Sequence, residues 1–158
     1  MEGYIGEVRL VAMSQVPREW LPCDGRLLRI RQNQAMFALL ETSFGGDGIE
    51  TFAVPTLSAP AVGVRYVVCQ VGVWPTRRLA ESTLGEIRLL SQLGAHFAEQ
   101  ALPCDGRLVT LNQNTALFSL LATRFGGNGT STFGIPNLQA PTGLRYLLPV
   151  FGSFPKRP

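Results

Sequence analysis

The chain has 158 residues, 46% of them apolar and only 16% charged, with a formal charge of +3. This composition argues against disorder and leaves room for one ordinary domain or two small ones. No apolar run approaches the ~18 residues of a membrane-spanning helix, and the basic residues are scattered rather than clustered on one face, so neither a membrane span nor a nucleic-acid partner is expected.

The opening MEGYIGEVRL lacks the basic start and continuous apolar core of a Sec signal. Synthesis in the cytoplasm without Sec export is the expectation. Gly6–Ala12 reads as a strand, with Val8, Leu10 and Ala12 on one face and Glu7 and Arg9 facing outward on the other. Trp20–Cys23 and Arg26–Ile30 are short extended runs around Asp24-Gly25, and Asp-Gly is a strong two-residue hairpin signal. Gln32–Thr42 reads as a helix of about three turns, because Met36, Leu39 and Leu40 recur at helical spacing. The FGGDG segment, with Gly45 and Gly46, ends that helix. Phe52–Val54 is a short strand stopped by Pro55. Val64–Val71 is apolar on both faces and should be central or covered on both sides.

The remainder of the chain repeats this order. GEVRL at 6–10 returns as GEIRL at 85–89, LPCDGRL at 21–27 as LPCDGRL at 102–108, and FGGDG at 44–48 as FGGNG at 125–129. TFAVPTLSAP at 51–60 returns as TFGIPNLQAP at 132–141, GVRYVV at 63–68 as GLRYLL at 143–148, and VWPTR at 73–77 as SFPKR at 153–157. The second copy is longer before its LPCDG and shorter before its GxRY. The chain is therefore an internal duplication, with units at 1–78 and 79–158 and a junction near Arg77–Ser82. Its turn glycines and acids recur as Asp105, Gly106, Gly126 and Gly127. Asn112 is placed to cap the second helix, where Arg31 stands in the first. Pro149 marks the strand at Tyr146–Phe151 as an edge or a bulge. The fold class that follows is α+β: two tandem homologous β-rich units, each of about five short strands with one helix.

Little in this pattern carries catalysis. Three cysteines without a CxxC and one histidine, His96, make no zinc site and no nucleophile–base pair. Cys23 and Cys104 read as buried packing thiols, His96 as a loop residue, and Asp24, Asp47 and Asp105 as turn residues. FGGDG has no lysine and follows a helix, whereas a phosphate-binding loop precedes one. No cofactor is expected.

The order GE(V/I)R, then P-x-x-W-x-x-CDG, then QNQAMFALL, then FGGDG, then TFxxPxL resembles the phage tail-collar domain. More closely, it is similar to the bacterial and phage proteins called microcystin-dependent. The closing segments YVVCQVGVWPTR and YLLPVFGSFPKR fit the same likeness. Two departures stand out. The long glycine-rich region that the family carries before its closing strand, to which receptor contact would be assigned, is bridged here by PTLSAPAVGVRY and PNLQAPTGLRY. Copy two also has Ala98 and Ala101 where copy one has Pro17 and Trp20.

The resemblance implies a non-enzymatic structural protein of a virion tail or tail-like particle. It implies a homo-oligomer, with a trimer favoured, in contact with other tail proteins. Two units per chain in a trimer would be pseudo-sixfold. The contact residues expected are Arg65, Tyr66, Arg145 and Tyr146 on the apolar closing strands and Trp74 and Phe154 on the tails. An alternative is an adhesion module for a cell-surface glycan, with Trp20, Arg18, Arg29 and Arg31 as an asymmetric patch; against it stands the reading in which Trp20 simply fills the core.

Overall fold

The computed structural model describes residues 1–75, 82–96 and 100–156. The junction stretch 77–81, Arg157 and Ala98 lie outside the described residues. Copy one contributes β1 (Val8–Val11), β2 (Trp20–Pro22), β3 (Leu27–Arg29), α1 (Gln34–Leu40), β4 (Thr51–Ala53) and β5 (Arg65–Cys69). Copy two contributes β6 (Arg88–Ser91), α2 (Gln92–His96), β7 (Ala101–Pro103), β8 (Leu108–Thr110), α3 (Thr115–Leu121), β9 (Thr132–Gly134) and β10 (Leu144–Pro149). The α+β class and the two similar halves hold.

Six strands form one sheet in the order β2-β5-β1-β6-β10-β7. Its two halves are mirror lists of equivalent strands. They meet where β1 and β6, the GEVRL and GEIRL strands, pair antiparallel at Val8↔Leu89. Each copy therefore lends three strands to a shared sheet, and the chain carries an internal pseudo-twofold perpendicular to it.

The remaining strands form two small antiparallel pairs, β3–β4 and β8–β9. With α1 and α3 they cover one face of the sheet. Under α1 lie Val8, Met36, Leu39, Leu40, Phe52, Val54 and Val68; under α3 lie Leu117, Leu121, Phe133, Ile135 and Leu148. The same ring pair supports both layers, Phe37 on Phe52 at 5.5 Å and Phe118 on Phe133 at 5.3 Å between centroids. The opposite face buries Val11, Trp20, Val67 and Cys69 in one half and Tyr4, Leu90 and Leu147 in the other. The strand read as apolar on both faces is thus central and covered twice, by helix on one side and by Trp20 on the other.

Four expectations change. The CDG segment is not a two-residue hairpin: β2 pairs with β5, and β3 pairs with β4. Gly25 and Gly106, both at φ 78°, turn a corner that carries the chain from the sheet into the second layer. The helices are also shorter than predicted, each preceded by a 3₁₀ turn at Ile30–Gln32 or Leu111–Gln113. Asn112 lies inside that turn, and Asn33 and Asn114 stand at the helix starts, donating side-chain N–H to Arg29 O and Thr110 O. Thirdly, β10 is an interior strand between β6 and β7, with Pro149 as its last residue, where the missing N–H breaks no ladder within the strand. Finally, His96 ends the short helix α2 rather than lying in a loop.

The helix ends bring a further correction. They are turned not by the FGG glycines but by Glu41 (φ 47°, ψ −137°) and Ala122 (φ 49°, ψ −139°). This backbone region strains any residue with a Cβ. Gly46 and Gly127 serve a different need: a Cβ on either would stand 2.4 Å from the Cα of Phe52 or Phe133. Replacing Ala122 with glycine should therefore stabilise the fold by ~1 kcal/mol and raise Tm by ~2–4 °C, with Glu41→Gly following suit. Calorimetry checks this; a lower Tm in both variants would contradict the strain.

Candidate interaction surface

The seam is where the two copies' charges meet. Glu7 was expected to face outward, but it is 2% exposed. Burying a carboxylate is costly unless it is paired and hydrogen-bonded. Here its Oε2 accepts the Tyr4 N–H at 3.0 Å, and Arg9 donates to both oxygens at 3.0 and 3.1 Å. Arg88 of copy two reaches Glu7 at 3.6 Å and Glu86 at 3.1 Å. Each arginine also lies over an aromatic ring, Arg9 over Trp20 at 5.0 Å and Arg88 over Tyr4 at 5.2 Å. The in-strand pairing expected from the sequence is present, but one copy's carboxylate serves both copies' arginines.

The repeated CDGR segments build no reactive centre. Asp24 and Arg26 form an exposed ion pair, as do Asp105 and Arg107. The hydrogen bond from each arginine holds its carboxyl below the usual range. Burial, aided by Asp24, pushes the Cys23 thiol up to about 12, and burial likewise pushes Cys69 and Cys104 up to about 11. Thiolate is the nucleophilic form, and it would appear only above those values. Native protein at pH 8 should resist iodoacetamide and react only once urea opens it; rapid labelling without urea would contradict the burial.

What the corners do shape is a pair of equivalent clefts. One of about 330 Å³ is bordered by Cys23, Asp24, Leu57, Arg65 and Tyr66. Its counterpart of about 360 Å³ is bordered by Cys104, Asp105, Leu138, Arg145 and Tyr146. Between them, along the seam, lies a third of about 350 Å³ with Leu10, Ile87, Tyr66 and Tyr146 in its walls. Tyr66 and Tyr146 each border two clefts, and burial together with Tyr66 raises the Tyr146 hydroxyl above its ordinary value. Four of the residues picked from sequence, Arg65, Tyr66, Arg145 and Tyr146, are thus brought onto one continuous surface.

The others are not. Trp20 is 2% exposed, and its indole N–H donates to the Met1 carbonyl at 2.8 Å. It fills the core, so the patch built around it loses its aromatic. Arg29 and Arg31 border a separate cleft of about 380 Å³ beside the exposed Ile49. At the corresponding places copy two has Thr110 and Asn112. The closing strands pair inside the sheet, and the two aromatics of their tails lie apart from these clefts as exposed surface: Trp74 is 37% and Phe154 54% exposed. Sequence reading missed Leu10 and Ile87, exposed on the sheet, and the burial of Glu7. The one signal was the repetition of GE(V/I)RL, since identical strands make a natural antiparallel pair.

Loss of Glu7 leaves Arg88, whose side chain is 10% exposed, without its buried counter-charge. Glu7→Ala should cost about 3 kcal/mol in urea unfolding, as removal of one partner from a buried ion pair does. The equivalent Glu86→Ala should cost under ~1 kcal/mol, because that side chain is 40% exposed. Equal costs would contradict the asymmetric seam.

Among the described residues, no group of histidine, cysteine or carboxylate side chains is arranged to hold a metal ion, and no helix is long and apolar enough to cross a membrane. No curated protein and no solved structure matches the chain significantly. The family model of the Phage Tail Collar Domain matches it twice, at residues 6–61 and 85–142. Those spans cover more than half the chain, one in each half of the sheet, and stop short of the closing strands β5 and β10; they do not distinguish the microcystin-dependent group within the family. The chain belongs to the phage tail collar domain family, as two tandem copies.

Proposed function

We propose that this protein is a non-enzymatic structural component of a phage tail, or of a tail-derived particle, and that it works by self-assembly and by contact with other tail proteins. The observation that carries this reading is the double collar match laid over one fused sheet. Several large apolar side chains remain on its surface, including Leu10, Ile87, Phe125, Phe151 and Phe154. Contiguous apolar patches mark association sites, and of these side chains Leu10 and Ile87 border one cleft. A trimer is the favoured state, as the resemblance implies. Units at 1–78 and 79–158 would then present six collar-like cores around one axis.

In cells that encode it, the chain should co-sediment with tail or tail-like particles and remain with them through a density gradient. Recovery of the whole pool as free soluble protein would contradict the structural reading.

A second reading is supported by the cleft at Arg29, Arg31 and Ile49, where copy two has Thr110, Asn112 and Thr130. Two guanidinium groups beside an apolar side chain suit an acidic saccharide on a cell surface. Arg29→Ala with Arg31→Ala should abolish binding on a glycan array; an array signal unchanged by both substitutions would remove this reading.

A further inference from the structure

The internal duplication allows every residue to be compared with its counterpart, and one set of counterparts differs sharply in burial. Leu89 of β6 is 6% exposed, whereas its counterpart Leu10 of β1 is 49% exposed. Leu144 is buried, whereas its counterpart Val64 is only half-buried. The cover over Leu89 and Leu144 is the end of copy one's helix layer: Met36, Leu39 and Leu40, followed by Phe44. Phe44 lies so close to Gly143 that a Cβ there would stand 2.9 Å from its ring.

The reciprocal contact is missing. Phe125, the counterpart of Phe44, is 43% exposed. Gly63, the counterpart of Gly143, has nothing within 4 Å of a Cβ built on it. So the molecule contains one completed contact, a helix end and phenylalanine from copy one on the sheet of copy two. It also contains both halves of the same contact left open: a donor at Phe125 and an acceptor at Leu10 and Gly63. The across-seam neighbour of Leu10, Ile87, is likewise 40% exposed, while its counterpart Val8 is buried. Copy one's turn before Gly63 is one residue longer than copy two's, and the added Val62 is fully exposed.

We propose that a second copy of this chain supplies the missing cover, with Phe125 and the end of α3 of one chain seated on the Leu10, Ile87 and Gly63 face of the next. The completed contact inside the chain shows that the two surfaces are complementary in kind. The acceptor half is set apart from ordinary surface because Leu89, Leu144 and Val8, the counterparts of Leu10, Val64 and Ile87, are core, and Phe44, the counterpart of Phe125, is partly buried against them. Donor and acceptor are different patches, so each chain can give one contact and receive another, closing a ring if the rotation allows. The inference rests on the self-assembling reading of the chain, but it names the surface that reading leaves open.

Light scattering on the full chain at micromolar concentration tests it. The parent protein should exceed the 17.2 kDa of one chain. Phe125→Asp and Leu10→Glu should each return the mass to a single chain, while Leu27→Asp, at an exposed position of β3, should leave it unchanged. All three positions are exposed, so circular dichroism and Tm should match the parent. Mixing Phe125→Asp with Leu10→Glu should restore a two-chain species, because one variant keeps its acceptor and the other its donor. An assembly that survives both substitutions, or a mixture that stays monomeric, would overturn this surface while leaving self-assembly standing. A monomeric parent would overturn both.

Discussion

The antiparallel meeting of β1 and β6 is the constraint on which the rest of the molecule depends. A collar unit of this size buries a modest fraction of its surface alone, and its three-stranded sheet would end on a bare β1 edge. Pairing that edge with the equivalent strand of the second copy removes both liabilities at once. It also forces like residues together, because the pseudo-axis runs between two copies of the same sequence. The arginines of GEVRL and GEIRL converge there, and a carboxylate is needed between them. Glu7 takes that place under Tyr4, and so the most buried charge among the described residues sits at the middle of the sheet rather than in a reactive pocket.

Fusion of two copies also permits them to diverge. Trp20 spans the back of copy one's half-sheet and holds Arg9 over its ring; Ala101 stands at its place in copy two. There the cover comes from Tyr4, which crosses from copy one to pack on Leu90 and Leu147, with Ala95 of α2 beside it. One copy thus lends its N-terminal aromatic to the other, and the halves cannot be exchanged without emptying one back face.

Much of the architecture was legible in the residues themselves. Apolar residues on both faces of Val64–Val71 marked a strand covered twice, and the duplicated helix spacing marked α1 and α3, because these patterns are local. The CDGR corner was misread for a physical reason. Asp-Gly specifies that the chain turns, but which strands pair afterwards depends on register with β4 and β5, far along the sequence. Likewise Pro149 forbids a donor at one position without saying that the position ends a strand. Glu7 was read as outward because alternation places it with Arg9, and nothing local indicates that a second sheet edge and Tyr4 close over that face. Of the interaction surface, Tyr66 and Tyr146 could be picked because they repeat, whereas Leu10 looked like core. Its exposure follows from what fails to cover it.

That failure separates two meanings of a duplicated sequence. Had both copies made the same contacts, the pseudo-twofold would be complete and the molecule closed, with every helix end seated on the opposite half. Instead, Phe44 reaches Gly143 while Phe125 and Gly63 stay open. The difference coincides in place with the one residue more that copy one has before its GxRY, at the turn that would have to receive Phe125. A single inserted residue in an exposed turn is cheap for the folded chain. It lies, however, at a contact whose chemistry the other half of the molecule already demonstrates. Duplication supplied two equivalent surfaces; the short turn difference lies beside the one left outward, the face to which we assign a second chain.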